Sequence, residues 1–312
     1  YVLQAMLQSP RFIYRIENQR GDGAVVGVSA YELASRMSYI LWGAPPDQEL
    51  YAAAESGDLY DLQVVEQQIA RMLKDPRAVD RSAQFVYQWL DLGRLDNMRP
   101  DKEKFPKWDA SVAADMRQET LAFFHEVVWN QRRPLADLLN AQVTFVTPRL
   151  AKHYGIPHVY GSRFRRVSLG DDVPRGGLLR HGSILTVTSY ATRTSPVIRG
   201  HWILENLLGT PPPPPPPDVP ALEDNAVSAG LPIRERLAAH RENTACASCH
   251  NVMDPVGFSL ENYDAVGRWR TMDAGVPVDS SGGFSDGSEF MGVEGLEAAM
   301  MKRPEAFVRT LT

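Results

Sequence analysis

Both cysteines of this 312-residue chain fall in one pentapeptide, Cys246-Ala247-Ser248-Cys249-His250. Two thiols one helical turn apart, followed at once by an imidazole, form the attachment pattern of a c-type haem. The thiols meet the two vinyl groups on one edge of the porphyrin, and the histidine turns onto the iron. The spacing predicts one covalent haem c held by Cys246 and Cys249, with His250 as the proximal ligand. Two other chemistries use paired thiols. A structural zinc site needs four ligands and usually a second Cys/His pair, yet His125, His153, His158, His181, His201 and His240 are scattered singly. A redox Cys-x-x-Cys of the thioredoxin kind follows a strand in a βαβ unit, and no such unit is read ahead of the motif. The haem reading is preferred to both.

The second axial position is less constrained. Met291 and the pair Met300-Met301 follow His250 by 41 to 51 residues, the range in which small cytochromes place an axial methionine. Met291, between Phe290 and Gly292, is the first candidate; a distant histidine such as His181 or His240, or an open position, are the alternatives. Met253 is too close in sequence to reach the opposite face of the same haem. Arg268 and Arg270, with Arg193 and Arg199, have guanidinium forks suited to haem propionates. Their competing use is ordinary ion pairing to Asp254, Glu261 or Asp264. Other constellations fail: His125-Glu126 lacks the second histidine of a zincin helix, and the Gly- and Asp-rich stretch 279–286 does not fit a calcium loop.

The elements around the motif are mainly helical. Ser29-Ala30-Tyr31-Glu32 is a capping box, followed by Leu33, Met37, Ile40 and Leu41 at helical spacing. Gly43 and Pro45-Pro46 end that helix. Further helices are expected from Asp47, over 62–73, over 78–92, and from Asp109 to about Asn130. From about Gly161 the texture changes to a short strand at 163–167, loops over 183–195, and a short helix at 201–208. Seven consecutive prolines at 211–217 then predict a polyproline II strap, roughly 22 Å long at about 3.1 Å per residue. A helix over 231–242 leads into the haem motif, and another from Pro304 closes the chain. The expected fold is mainly α: a tail of a preceding domain (1–22), a helical bundle (23–160), a loop-rich connecting segment with the strap (161–230), and a small cytochrome-c-like domain (231–312).

Composition narrows the function classes. With 44% hydrophobic and 23% charged residues the chain can bury a core, and a net charge of −5 argues against a general nucleic-acid binder. No run of 18 or more apolar residues appears, so no transmembrane segment is expected. The opening Tyr1-Val2-Leu3-Gln4 has neither initiator methionine nor signal sequence, and the last residues stop within a helix. The chain therefore reads as a piece of a longer polypeptide.

Two blocks carry a wider likeness. One is Arg193-Thr194-Ser195-Pro196-Val197-x-Arg199-Gly200-x-Trp202, followed by Leu204-Glu205 and the proline run. The other runs from Cys246 through Met253-Asp254-Pro255-x-Gly257-Phe258-x-Leu260-Glu261-x-Tyr263-Asp264 to Gly267-Arg268-x-Arg270. Together with Arg36-Met37-Ser38-Tyr39 and Leu41-Trp42 they resemble the secreted haem-c proteins of environmental bacteria built from serial domains of unknown function, the planctomycete-type cytochrome family. The resemblance implies a periplasmic or extracellular haem protein, and it supplies no reaction. The leading expectation is electron transfer to a redox partner protein or to an upstream haem domain of the same polypeptide. The rivals are a haem peroxidase or oxidase with an open sixth position, and a surface or assembly protein with a structural haem.

Overall fold

The computed structural model describes residues 1–14, 27–170, 173–213, 232–242 and 244–312. The fold is mainly α, as the helical periodicity predicts, with three two-stranded antiparallel sheets among the described residues. The chain divides into two compact units, 1–85 and 86–312, the division falling inside a helix.

The first unit holds α1 (Val2–Leu7), α2 (Pro10–Ile13), α3 (Ala30–Leu41), α4 (Gln48–Glu55), α5 (Leu62–Met72) and the start of α6 (Pro76–Trp89). The capping box of α3 is formed in both directions: the Glu32 N–H donates to Ser29 Oγ at 3.3 Å, and the Ser29 N–H to the Glu32 carboxylate at 2.7 Å. Trp42 is buried, its indole N–H donating to the Met72 carbonyl at 3.0 Å while the Arg77 guanidinium covers the ring at 3.7 Å.

In the second unit α7 (Ala110–Phe124) widens into a π-helical turn over His125–Asn130, ending where the sequence predicts. Strand β1 (Val143–Val146) pairs with β2 (Arg165–Ser168), with α8 (Pro148–Tyr154) between them. The stretch 183–195, expected as loops, instead opens with the fully buried helix α9 (Gly182–Val187). The hydroxyls here find partners: Ser183 bonds to Thr120 of α7 at 2.6 Å, while just past the helix Thr188 donates to the Ile184 carbonyl and Ser189 to that of Leu185, at 2.7 and 2.8 Å. The following helix α10 (Pro196–Asn206) begins five residues earlier than the sequence suggests, because Ser195 caps it and Pro196 supplies a preset first turn.

The remaining helices are α11 (Ile233–His240), α12 (Thr244–Phe258), α13 (Gly292–Met301) and α14 (Pro304–Leu311). Between α12 and α13 lie two short hairpins, β3 (Met272–Asp273) with β4 (Val276–Pro277) and β5 (Ser281–Gly283) with β6 (Glu289–Met291). Leu237 of α11 is buried, as its position predicts. Of the proline run, 211–213 are described, and the expected strap at 214–217 lies outside the described residues. One continuous core joins Phe123, Leu178, Ile203, Leu204, Val256 and Phe307, so α10 and α12 share their buried faces with the rest of this unit.

Candidate functional site

The site rests on how α10 and α12 meet. A Cβ at Gly200 would sit on the Met253 carbonyl, and one at Gly257 on the Pro196 carbonyl. The two backbones therefore touch, and the pairing of 200 with 253 and 196 with 257 makes the helices antiparallel. Arg199 locks this arrangement. It is wholly buried and donates to the carbonyls of Leu260, Tyr263 and Asp264 at 2.8, 2.9 and 3.0 Å, and to the Glu261 carboxylate at 2.9 Å.

Along α12 the motif occupies successive turns. Cys246 is buried, Cys249 half-buried, and both are free thiols. Cys249 Sγ lies 3.6 Å from the Pro213 carbonyl, at the start of the proline run. Nδ1 of His250 lies 2.9 Å from Oδ1 of Asp254, which is completely buried. With the proton on Nδ1, His250 donates to that carboxylate and leaves Nε2 free as an acceptor. The other Asp254 oxygen lies 3.6 Å from an Arg241 nitrogen. His240 packs edge-on against His250 at 4.8 Å, and burial together with the neighbouring His250 pushes its pKa down.

Cys246, Cys249, His250 and Met253 form one wall of a cavity of about 660 Å³. Val197, Ile198, His201 and Trp202 of α10 form another, while Trp89, Arg94, Pro212 and Pro213 complete it. The size suits a cofactor, since such sites span roughly 300–1,000 Å³. The donor set also suits a haem c: two unbridged thiols one turn apart, and an imidazole whose Nδ1 is engaged while Nε2 has no partner among the described residues. No cluster of three or more His, Cys, Asp or Glu side chains placed to hold a metal ion occurs among the described residues.

Residues 175–273 match the family model PSCyt3, protein of unknown function (DUF1588). Residues 28–156 match PSD4, also a protein of unknown function (DUF1592). No curated protein and no solved structure gives a match. Both sequence blocks that carry the resemblance, 193–205 and 246–270, lie inside the PSCyt3 match, and 36–42 lies inside the PSD4 match. Every residue that crosses between α10 and α12 also falls within PSCyt3.

Cys246, Cys249 and His250 are brought together, while the other predicted site residues stand elsewhere. Arg270, within PSCyt3, is taken up by ordinary pairing: it donates to the Glu261 and Asp273 carboxylates at 2.8 and 2.7 Å and does not line the cavity. Arg268 is exposed and also away from the cavity, its backbone N–H bound by Asp264 at 2.8 Å. Met291, beyond the end of PSCyt3, is 64% exposed and lines a separate groove with Arg234 and Pro255. The β5–β6 hairpin turns its sulfur toward the Ser280 hydroxyl at 3.7 Å, so it does not share the cavity with His250. His181 is buried in another cluster, bonded to Thr120 and packed on Phe123; burial and the nearby Arg175 push its pKa down to about 3. The sequence reading missed Asp254 as the partner of His250, and missed Trp89, Arg94, Trp202 and His201 as lining residues. The His250/Asp254 pair had a legible signal, a separation of one helical turn.

Proposed function

We propose that this chain is a c-type cytochrome that holds one covalent haem through Cys246, Cys249 and His250 and passes electrons to a redox partner. The observation that carries this reading is the shared cavity. Two free thiols and an imidazole oriented by a buried carboxylate open into one apolar-walled space of about 660 Å³. The name PSCyt3, with its cytochrome abbreviation, points the same way.

When bound, the haem supplies an iron that takes up and returns one electron. The chain's own groups do the rest. Cys246 and Cys249 would hold the macrocycle edge through thioether bonds, and His250 would offer Nε2 to the iron. Asp254 keeps the His250 proton on Nδ1 and fixes the ring. Trp89, Trp202, Val197 and Ile198 present apolar walls that keep water from the ring. Arg94 lines the cavity without an ion-pair partner among the described residues, so it replaces Arg268 and Arg270 as the residue offered to a propionate. The periplasmic or extracellular setting follows from the resemblance. A partner protein or an upstream haem domain of the same polypeptide would receive the electron.

The test is a visible spectrum and pyridine haemochrome of the protein made with and without c-haem maturation machinery. A covalent c-type signal that needs the machinery, and that changes to a single-thioether signal or disappears in Cys249→Ala, supports the assignment. Zinc in place of haem on metal analysis, or no covalent haem at all, overturns it.

A further inference from the structure

We propose that His201 is the second axial ligand, an assignment that rests on the haem reading above. His201 lies on α10 and His250 on α12, and both line the same cavity. Each histidine faces a carboxylate one turn on along its own helix, buried for His250 and exposed for His201. Nδ1 of His250 faces Asp254 four residues on, at 2.9 Å, and Nδ1 of His201 faces Glu205 four residues on, at 3.4 Å. Each carboxylate favours a proton on Nδ1, which leaves each Nε2 a free lone pair. Neither Nε2 has a partner among the described residues. Metal-binding imidazoles commonly show this arrangement, with the non-ligating nitrogen engaged by a carboxylate.

The helix crossing gives the two imidazoles separate walls. α10 and α12 touch at Gly200 and Gly257, so neither side chain occupies the crossing itself. From there Val197, His201 and Glu205 form one stripe along α10, and Cys246, Cys249, His250 and Met253 another along α12. A flat macrocycle tied to the α12 thiols, with His250 on one face, has the α10 stripe as a source for the other.

The rival ligands fail on position. Met253 is one turn from His250 on the same stripe. His240 is packed edge-on against His250 itself, beside the proximal imidazole. His181 and Met291 lie outside this cavity. His201 is half exposed, so its replacement leaves the fold intact.

The experiment compares electronic absorption and electron paramagnetic resonance of the haem-loaded protein with those of His201→Ala, His201→Met and, as a control, His240→Ala. Wild type and His240→Ala should be low-spin in both oxidation states and slow to bind carbon monoxide. His201→Ala should become high-spin and bind carbon monoxide at once, and added imidazole should restore the low-spin spectrum. His201→Met should stay low-spin with a raised reduction potential. A low-spin His201→Ala, or a wild type that is high-spin with haem attached, overturns the ligand assignment and leaves the haem reading standing. Absence of covalent haem from the wild type overturns both.

Discussion

Nδ1 of His250 and Oδ1 of Asp254 lie 2.9 Å apart on successive turns of α12, and the carboxylate is completely buried. A buried carboxylate that accepts an imidazole proton shares its negative charge with the ring, so a metal held at Nε2 is better stabilised in its more oxidised state. In the haem-loaded protein Asp254→Asn should therefore raise the reduction potential while keeping Cys246 and Cys249 attached. The same substitution removes the charge facing Arg241 and should cost about 1–3 kcal/mol of stability. Potentiometric titration and urea unfolding read the two effects. An unchanged potential would show that Asp254 only packs against the ring.

Arg199 is the joint between α10 and the turn after α12. It satisfies three carbonyls and pairs with the buried Glu261 carboxylate. Arg199→Met would leave those groups without their donor, and breaking a buried pair costs about 3–5 kcal/mol. The lower end is expected, because Arg270 still contacts Glu261 at 2.8 Å. A shift in the urea midpoint at unchanged slope is the measurement. A variant as stable as wild type would mean that Arg270 and solvent take over the whole role.

The motif at 246–250 was legible because its chemistry is local: residue types and a one-turn spacing state it without reference to the rest of the chain. The capping box at Ser29 and the buried position of Leu237 were legible for the same reason. Met291 was not, since a count of residues after His250 does not say which way a hairpin turns. The pairing of Ser281 with Met291 sends that sulfur to a different groove. For Arg270 the sequence left a propionate and ion pairing to Glu261 both open, because Glu261 is nine residues away and joins it only through the fold. The hydroxyls of 183–189 suggested loops, yet they bond to carbonyls of their own helix and to Thr120, which lets α9 be buried. His201 stood alone in the sequence until the antiparallel crossing of α10 and α12 set it in the wall of the cavity that His250 lines.

That crossing makes its own demand. At Gly200 and Gly257 the facing atoms are backbone carbonyls, which cannot swing aside as a side chain would. Gly200→Ala and Gly257→Ala should each force the helices apart and cost roughly 1–3 kcal/mol or more, the usual scale of overpacking. Because Val197, His201 and Met253 flank this contact and line the cavity, the variants should also retain less haem per chain, measured as the ratio of haem to protein absorbance. Ala substitution at the exposed Glu205 is the control that should leave stability near wild type.

Glu119 gives the second unit a pH dependence independent of any cofactor. It is buried on α7 and accepts hydrogen bonds from the hydroxyls of Thr144 and Tyr154. Burial outweighs those bonds and pushes its pKa up to about 7 from an ordinary 4.5. The folded state therefore holds a proton that the unfolded chain has already released across that interval. Stability from this group is fully present below about pH 4.5 and declines as pH rises toward 7, by roughly 1–3 kcal/mol over the window. Glu297, raised to about 7 by burial despite its pairing with Arg180, slopes the same way, so a single wild-type curve does not separate the two. The comparison that does is Glu119→Gln, which keeps the shape and cannot ionise. Its urea-unfolding free energy should fall less steeply than that of wild type between pH 5 and 7. Parallel curves would mean that Glu119 ionises in the folded state as it does in water, with Thr144 and Tyr154 compensating its burial in full.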